Sequence, residues 1–390
     1  MSAGNEKPAL HHADTWRSHL SEHNTPAAAH GTVGALGIEE DAPAELEVIR
    51  SRSSHSPVRT LEEDTSTPAL QEETPAPVRL HPLSLHVLAP LAPASVLGVL
   101  ARLGLAYLGT YAGQSAFSLA WVQWVGCFFM GLFLGLREPI TASYPPLYTA
   151  LTTGFCGSLT TFSGWQLDAF LAWANRTGIP RSRLHTFMDG LTRLIFTLSL
   201  SLAALSFGIH LSSHESITKR FPKRPLKTSR QRVLMLPDLL CFMVYIATIP
   251  AYLALPVAYR HMATSALLYS FPGTLARYLL GTHLNKPSFP HGTLTANLLG
   301  VALLAGFHAL QRSTGGVSAH SCEVLQGLSD GFCGCLTTVS TFAVEIRSAV
   351  GGRAWSYVLV SILVAQLLCL VVLGPAWLAG AVDDRVACTG

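Results

Sequence analysis

Two short segments stand out for what their residues can do. Gly154-Phe-Cys-Gly157-Ser-Leu-Thr160-Thr161 and Gly331-Phe-Cys-Gly334-Cys-Leu-Thr337-Thr338 agree at all but one position. Each lies in an apolar stretch and combines glycines, which let a helix break or touch a neighbour, with threonine hydroxyls. A break there frees backbone carbonyls, and in lipid these are costly unless they face protein, water or an ion. Two facing breaks can surround a cation with oxygen. The plainer reading is tight helix crossing, with threonine hydroxyls bonding back to their own helix. Asn297 sits inside another apolar stretch, where its amide needs a helix partner or an anion; Gln123 is its counterpart. Arg102 and Arg277 end apolar runs and are placed to snorkel, because a charge deep in a bilayer costs about 2.5–3.5 kcal/mol. Asp168 and Glu345 follow the two Gly/Thr segments, placed in a vestibule or against an arginine.

These residues need apolar elements to carry them. The chain has 390 residues, 49% hydrophobic and only 13% charged, against about a quarter charged in a soluble average. Residues 1–82 are rich in Ser, Thr, Pro, Glu and His and have no sustained apolar period, which predicts a disordered tail. No secretory signal is evident, since the apolar runs begin only near Leu83. Nine stretches approach the roughly 20 apolar residues a membrane helix needs: 87–111, 117–136, 144–173, 186–210, 233–256, 262–281, 291–311, 321–349 and 354–380. Gly and Thr interrupt the third and eighth. The eight cysteines show no CxxC and no ordered His/Cys spacing, so they read as small packing residues rather than a zinc site or a disulfide framework.

Further pairs follow the duplicated segment: Gly98 through Arg102 with Gly273 through Arg277, Gly126 with Gly300, Asp168 with Glu345. Several ordered matches at nearly one offset imply a duplication. Four helices per repeat plus a linker at 233–256 place the second repeat upside down relative to the first. The expected fold is an all-α integral membrane protein: two inverted four-helix repeats (83–211 and 259–382), a basic loop and linker transmembrane helix (212–258), and a C-terminal tail (383–390). Inverted repeats place a site at the bilayer midplane. The run Lys219–Arg232 puts its loop, and with it the N-terminus, in the cytoplasm and the C-terminus outside. Arg176, Arg181 and Arg183 dissent from that assignment. Asn175-Arg-Thr177 is a glycosylation sequon close to the membrane on the outer side.

The residues then carry a resemblance. Gly292-Thr293-Leu-Thr-Ala-Asn297-Leu-Leu-Gly300 resembles the GTLxxNxxG segment of the fluoride channel family (CrcB/Fluc). Gly331 through Phe342 resembles its GxxGxxTTFSTF segment, and the GxxxR motif matches at Arg102 and Arg277. The chain is similar to the fused eukaryotic form of that family over about 85–380. The resemblance implies a passive fluoride channel in the plasma membrane, and a monomer, since one chain supplies both units. It implies a central structural Na+ held within Gly157, Thr160, Thr161, Gly334, Thr337 and Thr338. Pore roles are implied for Asn297, Thr293, Phe162, Phe342 and Glu345, with hydroxyls of Ser340 and Ser361 continuing the path. Trp165 and Val339 stand where the family has phenylalanines, Gln123 replaces asparagine, and Leu119 lies opposite Thr293. One pore (Phe162 with Phe342) is therefore expected to work, and the other (Gln123, Trp165, Val339) to be vestigial.

Inverted repeats and broken helices suit a coupled secondary transporter of another small anion equally well. A membrane enzyme would need clustered His, Asp, Glu or Ser at the midplane, and the helices offer almost none. A non-transporting scaffold is a third alternative, against which the intramembrane Asn297 and the duplicated breaks argue weakly. No nucleotide motif is present, and no nucleic acid or acidic partner is expected.

Overall fold

The computed structural model describes residues 81–112, 114, 116–176, 181–214, 231–255, 264–349, 351–383 and 388–389. The tail over 1–80, the basic run from Lys219 to Arg230 and Thr177 of the sequon lie outside them.

Each of the nine apolar stretches carries helix. In chain order these are α1 (Leu85–Leu108), α2 (Leu119–Gly135), α3 (Arg137–Ser143), α4 (Pro145–Thr149), a π-helical turn π1 (Ala150–Cys156), α5 (Gly157–Leu159), α6 (Phe162–Trp173), α7 (Arg183–Ser212), α8 (Gln231–Ile246) and α9 (Thr248–Ala254). Then follow α10 (Ser265–Leu284), α11 (His291–Gln311), α12 (Ala319–Gly327), a second π-helical turn π2 (Leu328–Cys333), α13 (Gly334–Leu336), α14 (Ser340–Ser348) and α15 (Gly352–Leu378). Two-residue strand pairs, such as Asn285–Lys286 with Phe289–Pro290, are the only sheet among the described residues. The protein is thus all-α and membrane-type. Five described helical stretches are long and apolar enough to cross a bilayer: α1, α7, Pro237–Ala254, α11 and α15. The number becomes six if α2 and α3, bent by 71°, form one span.

Helix surfaces are sorted for lipid rather than water. On α15 the row Tyr357, Ser361, Ala365, Cys369, Leu373 is buried, while Leu359, Leu363, Leu367 and Leu370 are exposed. Positions four apart share a helix face, so the polar hydroxyls point inward and the leucines outward. An apolar outer face of this extent is what a lipid solvent selects. Asp238 of α8 is buried against His86 of α1, tying the linker helix to the first helix.

The halves interlock through their broken helices. α6 packs against α11 and α15, and α14 packs against α2 and α7. Close approach at the crossing requires glycine. A Cβ on Gly126 would run into the Thr160 methyl, and one on Gly300 into the Thr337 methyl.

The cysteine reading needs one correction. Cys322 is disulfide-bonded, whereas Cys127, Cys156, Cys241, Cys333, Cys335 and Cys369 are free. A single bridge leaves no spacing signal for sequence reasoning to find.

Candidate functional site

The centre is built from the two breaks. Thr160 and Thr337 leave the helical region for extended backbone (φ −84°, ψ 150°; φ −95°, ψ 154°). Their amides make the last helical bonds, to Cys156 O at 3.1 Å and Cys333 O at 3.0 Å. The carbonyls of each last turn then have no following helical N–H to accept from.

Hydroxyls close the gap between the repeats. Thr160 shares a hydrogen bond with Thr338 at 3.1 Å and donates to Ser340 at 3.1 Å. Thr161 and Thr337 share one at 3.2 Å, and Ser163 and Thr337 another at 3.0 Å. The backbone N–H of Ser340 donates to Thr160, and that of Ser163 to Thr337, both at 3.1 Å. Each of these contacts recurs with the repeats exchanged. Ser340 therefore braces this crossing; its hydroxyl also reaches Cys156 O at 3.2 Å.

The arginines do not snorkel. Arg102 and Arg277 are 4% and 5% exposed. Arg277 donates from Nε to Cys335 O at 2.7 Å and from Nη2 to Thr153 O of the first repeat at 2.8 Å. Arg102 donates to Asp330 O of the second repeat. Thr153 and Asp330 lie in π1 and π2. A π-turn shifts the bonding register and leaves a carbonyl to be satisfied from outside, and the opposite repeat's guanidinium satisfies it. Gly157 and Gly334 make the room, because a Cβ on either would overlap Arg277 or Arg102 respectively. Sequence placed these arginines at helix ends; the wider, re-registered turn that accepts them has no sequence signature.

Asn297 bonds the second break. Its Oδ1 accepts from Thr338 N at 2.9 Å, and its Nδ2 donates to Thr338 O at 3.3 Å. This is the helix-packing role, and it leaves one N–H of the amide for another acceptor. Gln123 makes only half of the clasp, donating to Thr161 O at 2.7 Å, and its Oε1 has no partner.

The side chains that follow the centre along α14 and along α6 differ. On the α14 side, Phe162 and Phe342, both fully buried, meet edge to face with ring centroids 5.3 Å apart. Phe342 contacts Tyr357 at 4.9 Å. Tyr357 donates to Glu345 Oε2 at 2.7 Å. Thr293 donates to Glu345 Oε1, and Asn285 reaches the same oxygen at 3.4 Å. Ser361, four residues after Tyr357, is 1% exposed and its hydroxyl has no partner. On the α6 side, Asp168, the counterpart of Glu345, faces a guanidinium instead. Arg193 is ion-paired to Asp168 and also to Asp189 at 3.5 Å, with Arg181 on Asp189. Trp165 lies beside Phe162 at 5.4 Å and donates to Arg193 O at 3.0 Å. Val339 is buried and offers no ring.

Sequence reasoning missed Tyr357, Asn285, Ser163 and Arg193. Two of them had signals: Tyr357 shares the Ser361 face one turn earlier, and Ser163 is the repeat partner of Ser340. Asn285 and Arg193 arrive from other elements and had none.

A family model described as "CrcB-like protein, Camphor Resistance (CrcB)" matches the chain twice, over residues 90–209 and 264–375. "Fluoride export protein 1" of Schizosaccharomyces pombe is 34% identical over 294 residues, covering 73% of this chain and 94% of the relative. "Fluoride export protein 1" of Neurospora crassa is 34% identical over 340 residues, covering 72% of this chain and 64% of the relative, so the chain spans under two thirds of that protein. "Fluoride-specific ion channel FluC 2" of Listeria monocytogenes is 39% identical over 93 residues, covering 23% of this chain and 70% of the relative. No solved structure matches.

Proposed function

Because the chain belongs to the CrcB-like family, we propose that it exports fluoride, as a passive and selective channel with one working pore and one vestigial pore. The observation that carries this is the inequality of the two paths. One joins Glu345, Thr293, Tyr357, Phe342 and Phe162. The other is occupied by the Asp168–Arg193–Asp189 ion pairs.

Fluoride is small and strongly hydrated, so a selective path must replace much of its water. Hydroxyls of Thr293 and Tyr357 and the amide of Asn285 exchange the Glu345 carboxylate for the arriving anion. The positive edges of the two phenylalanine rings face it next, with the free N–H of Asn297 and the Ser361 hydroxyl beyond. An inside-negative potential drives it outward by about 2.3 kcal/mol per 100 mV. No other energy source is needed.

A central Na+ belongs to the same proposal. The break residues fit it. They gather uncharged oxygen, from carbonyls within Gly157–Thr161 and Gly334–Thr338 and from four threonine hydroxyls, which suits a hard cation. Among the described residues no cluster of three His, Cys, Asp or Glu competes for another metal. When bound, the ion would raise anion occupancy, and Arg102 and Arg277 bring guanidiniums to the same crossing. We further place the nine-helix chain in the plasma membrane as a monomer, N-terminus inside and C-terminus outside. The Cys322 disulfide suits that side for the start of α12.

The test is fluoride efflux from liposomes holding the purified chain, with voltage imposed and chloride as competitor. Fast, voltage-driven efflux that Phe342→Ile abolishes supports the channel. Steep proton dependence favours coupled transport, and no efflux from the folded protein overturns the reading.

A further inference from the structure

The proposed path continues past the Phe162–Phe342 pair. Beyond the pair, α6 and α15 face each other along a seam with an unusual content. Gln166 lies one turn after Phe162 on the same face of α6 and is 0% exposed. Gln366 of α15 donates its Nε2 to both Gln166 Oε1 at 2.8 Å and Gln166 O at 3.0 Å. That grip holds the Gln166 amide in one orientation. The Gln166 Nε2 then has no partner, nor does Gln366 Oε1, nor the Ser361 hydroxyl five residues back on α15.

Two of these atoms are donors, the Gln166 N–H and the Ser361 hydroxyl, and buried donors without an acceptor call for one passing between the helices. The seam carries no competing charge, because Asp168, the nearest carboxylate on α6, is paired to Arg193. Further along, Phe170 stacks on Trp377 with centroids 5.8 Å apart. There the helices end around a small cavity of about 60 Å³ lined by Leu171, Arg176, His308, Arg312, Trp377 and Asp383. The seam thus runs from the phenylalanine pair toward a pocket where Arg176 and Arg312 accompany Asp383.

We infer that Gln166, held by Gln366, is a second anion-coordinating station on the outer half of the working pore, presented by the first repeat to the second repeat's path. The ligand is a small anion that accepts strong hydrogen bonds. The Gln166 N–H donates to it after it clears the two rings, and Gln366 fixes the donor's direction. The inference rests on the channel reading, and it gives the first repeat a share in the pore beyond Phe162.

The test compares full-length wild type, Gln166→Met and Gln366→Met in liposomes, measuring fluoride efflux against fluoride concentration. Methionine keeps side-chain length and removes the amide. Gln166→Met is expected to slow efflux about tenfold or more, the value of one lost hydrogen bond to a charge, and to raise the half-saturating fluoride concentration. Gln366→Met should do the same to a smaller degree, with both variants monodisperse. Wild-type efflux and saturation retained in folded Gln166→Met would overturn the station. Should that variant fail to fold, unchanged efflux and saturation in Gln366→Met would do so. Absence of efflux from wild type itself overturns the channel reading instead.

Discussion

Arg277→Met is the perturbation that most directly examines how the two repeats are joined. The guanidinium makes two bonds, to Cys335 O at 2.7 Å and to Thr153 O at 2.8 Å. Methionine matches most of the stem and donates nothing. Two buried carbonyls lose their donors at about 1–3 kcal/mol each, so the direct loss is about 2–6 kcal/mol. Relief of the buried charge offsets part of this. At roughly 2 °C per kcal/mol for a large chain, Tm should fall by up to about 12 °C. Arg277→Lys keeps a charge but offers a point donor in place of a planar fork, and should lose about half as much. The assay is thermal unfolding of the full chain in detergent, followed by fluoride efflux from liposomes. Leu363→Ala, on the exposed face of α15, serves as the control. Unchanged Tm in Arg277→Met would mean that the guanidinium does not join the two helix breaks, and the reciprocal arrangement with Arg102 would fall with it.

Gly300→Ala pushes a methyl into Thr337 Cγ2 at the crossing and should cost about 1–3 kcal/mol, read as a lower Tm with reduced efflux. Tyr357→Phe removes the donor to Glu345 and should slow efflux by about tenfold while leaving Tm nearly unchanged; wild-type rates would remove Tyr357 from the path. Asp238→Leu removes the buried carboxylate that His86 meets. It should leave efflux intact, and a loss of efflux would assign the linker helix more than a tethering role. Exhaustive exchange of sodium for a bulky organic cation should reduce efflux if the central ion is resident, and identical rates would dismiss it.

The sequence by itself was enough for the class of molecule, the duplication and the two breaks. Apolar length, the Gly/Thr segments and their ordered counterparts are local signals, and helices occupy each stretch they mark. The family resemblance, not the residues alone, singled out Phe162 with Phe342, because Trp165 and Val339 stand where the family has phenylalanines; the Phe162 and Phe342 rings meet. What sequence left open depended on partners distant in the chain. Glu345 and Asp168 look alike in sequence, yet one meets Tyr357, Thr293 and Asn285 and the other meets Arg193. Arg102 and Arg277 look like interfacial residues until the π-turns of the opposite repeat supply carbonyls to receive them. Burial of a charge or an amide is decided by what the other half of the molecule brings to it. A repeat read alone holds only half of each such pair, and tertiary structure supplies the other.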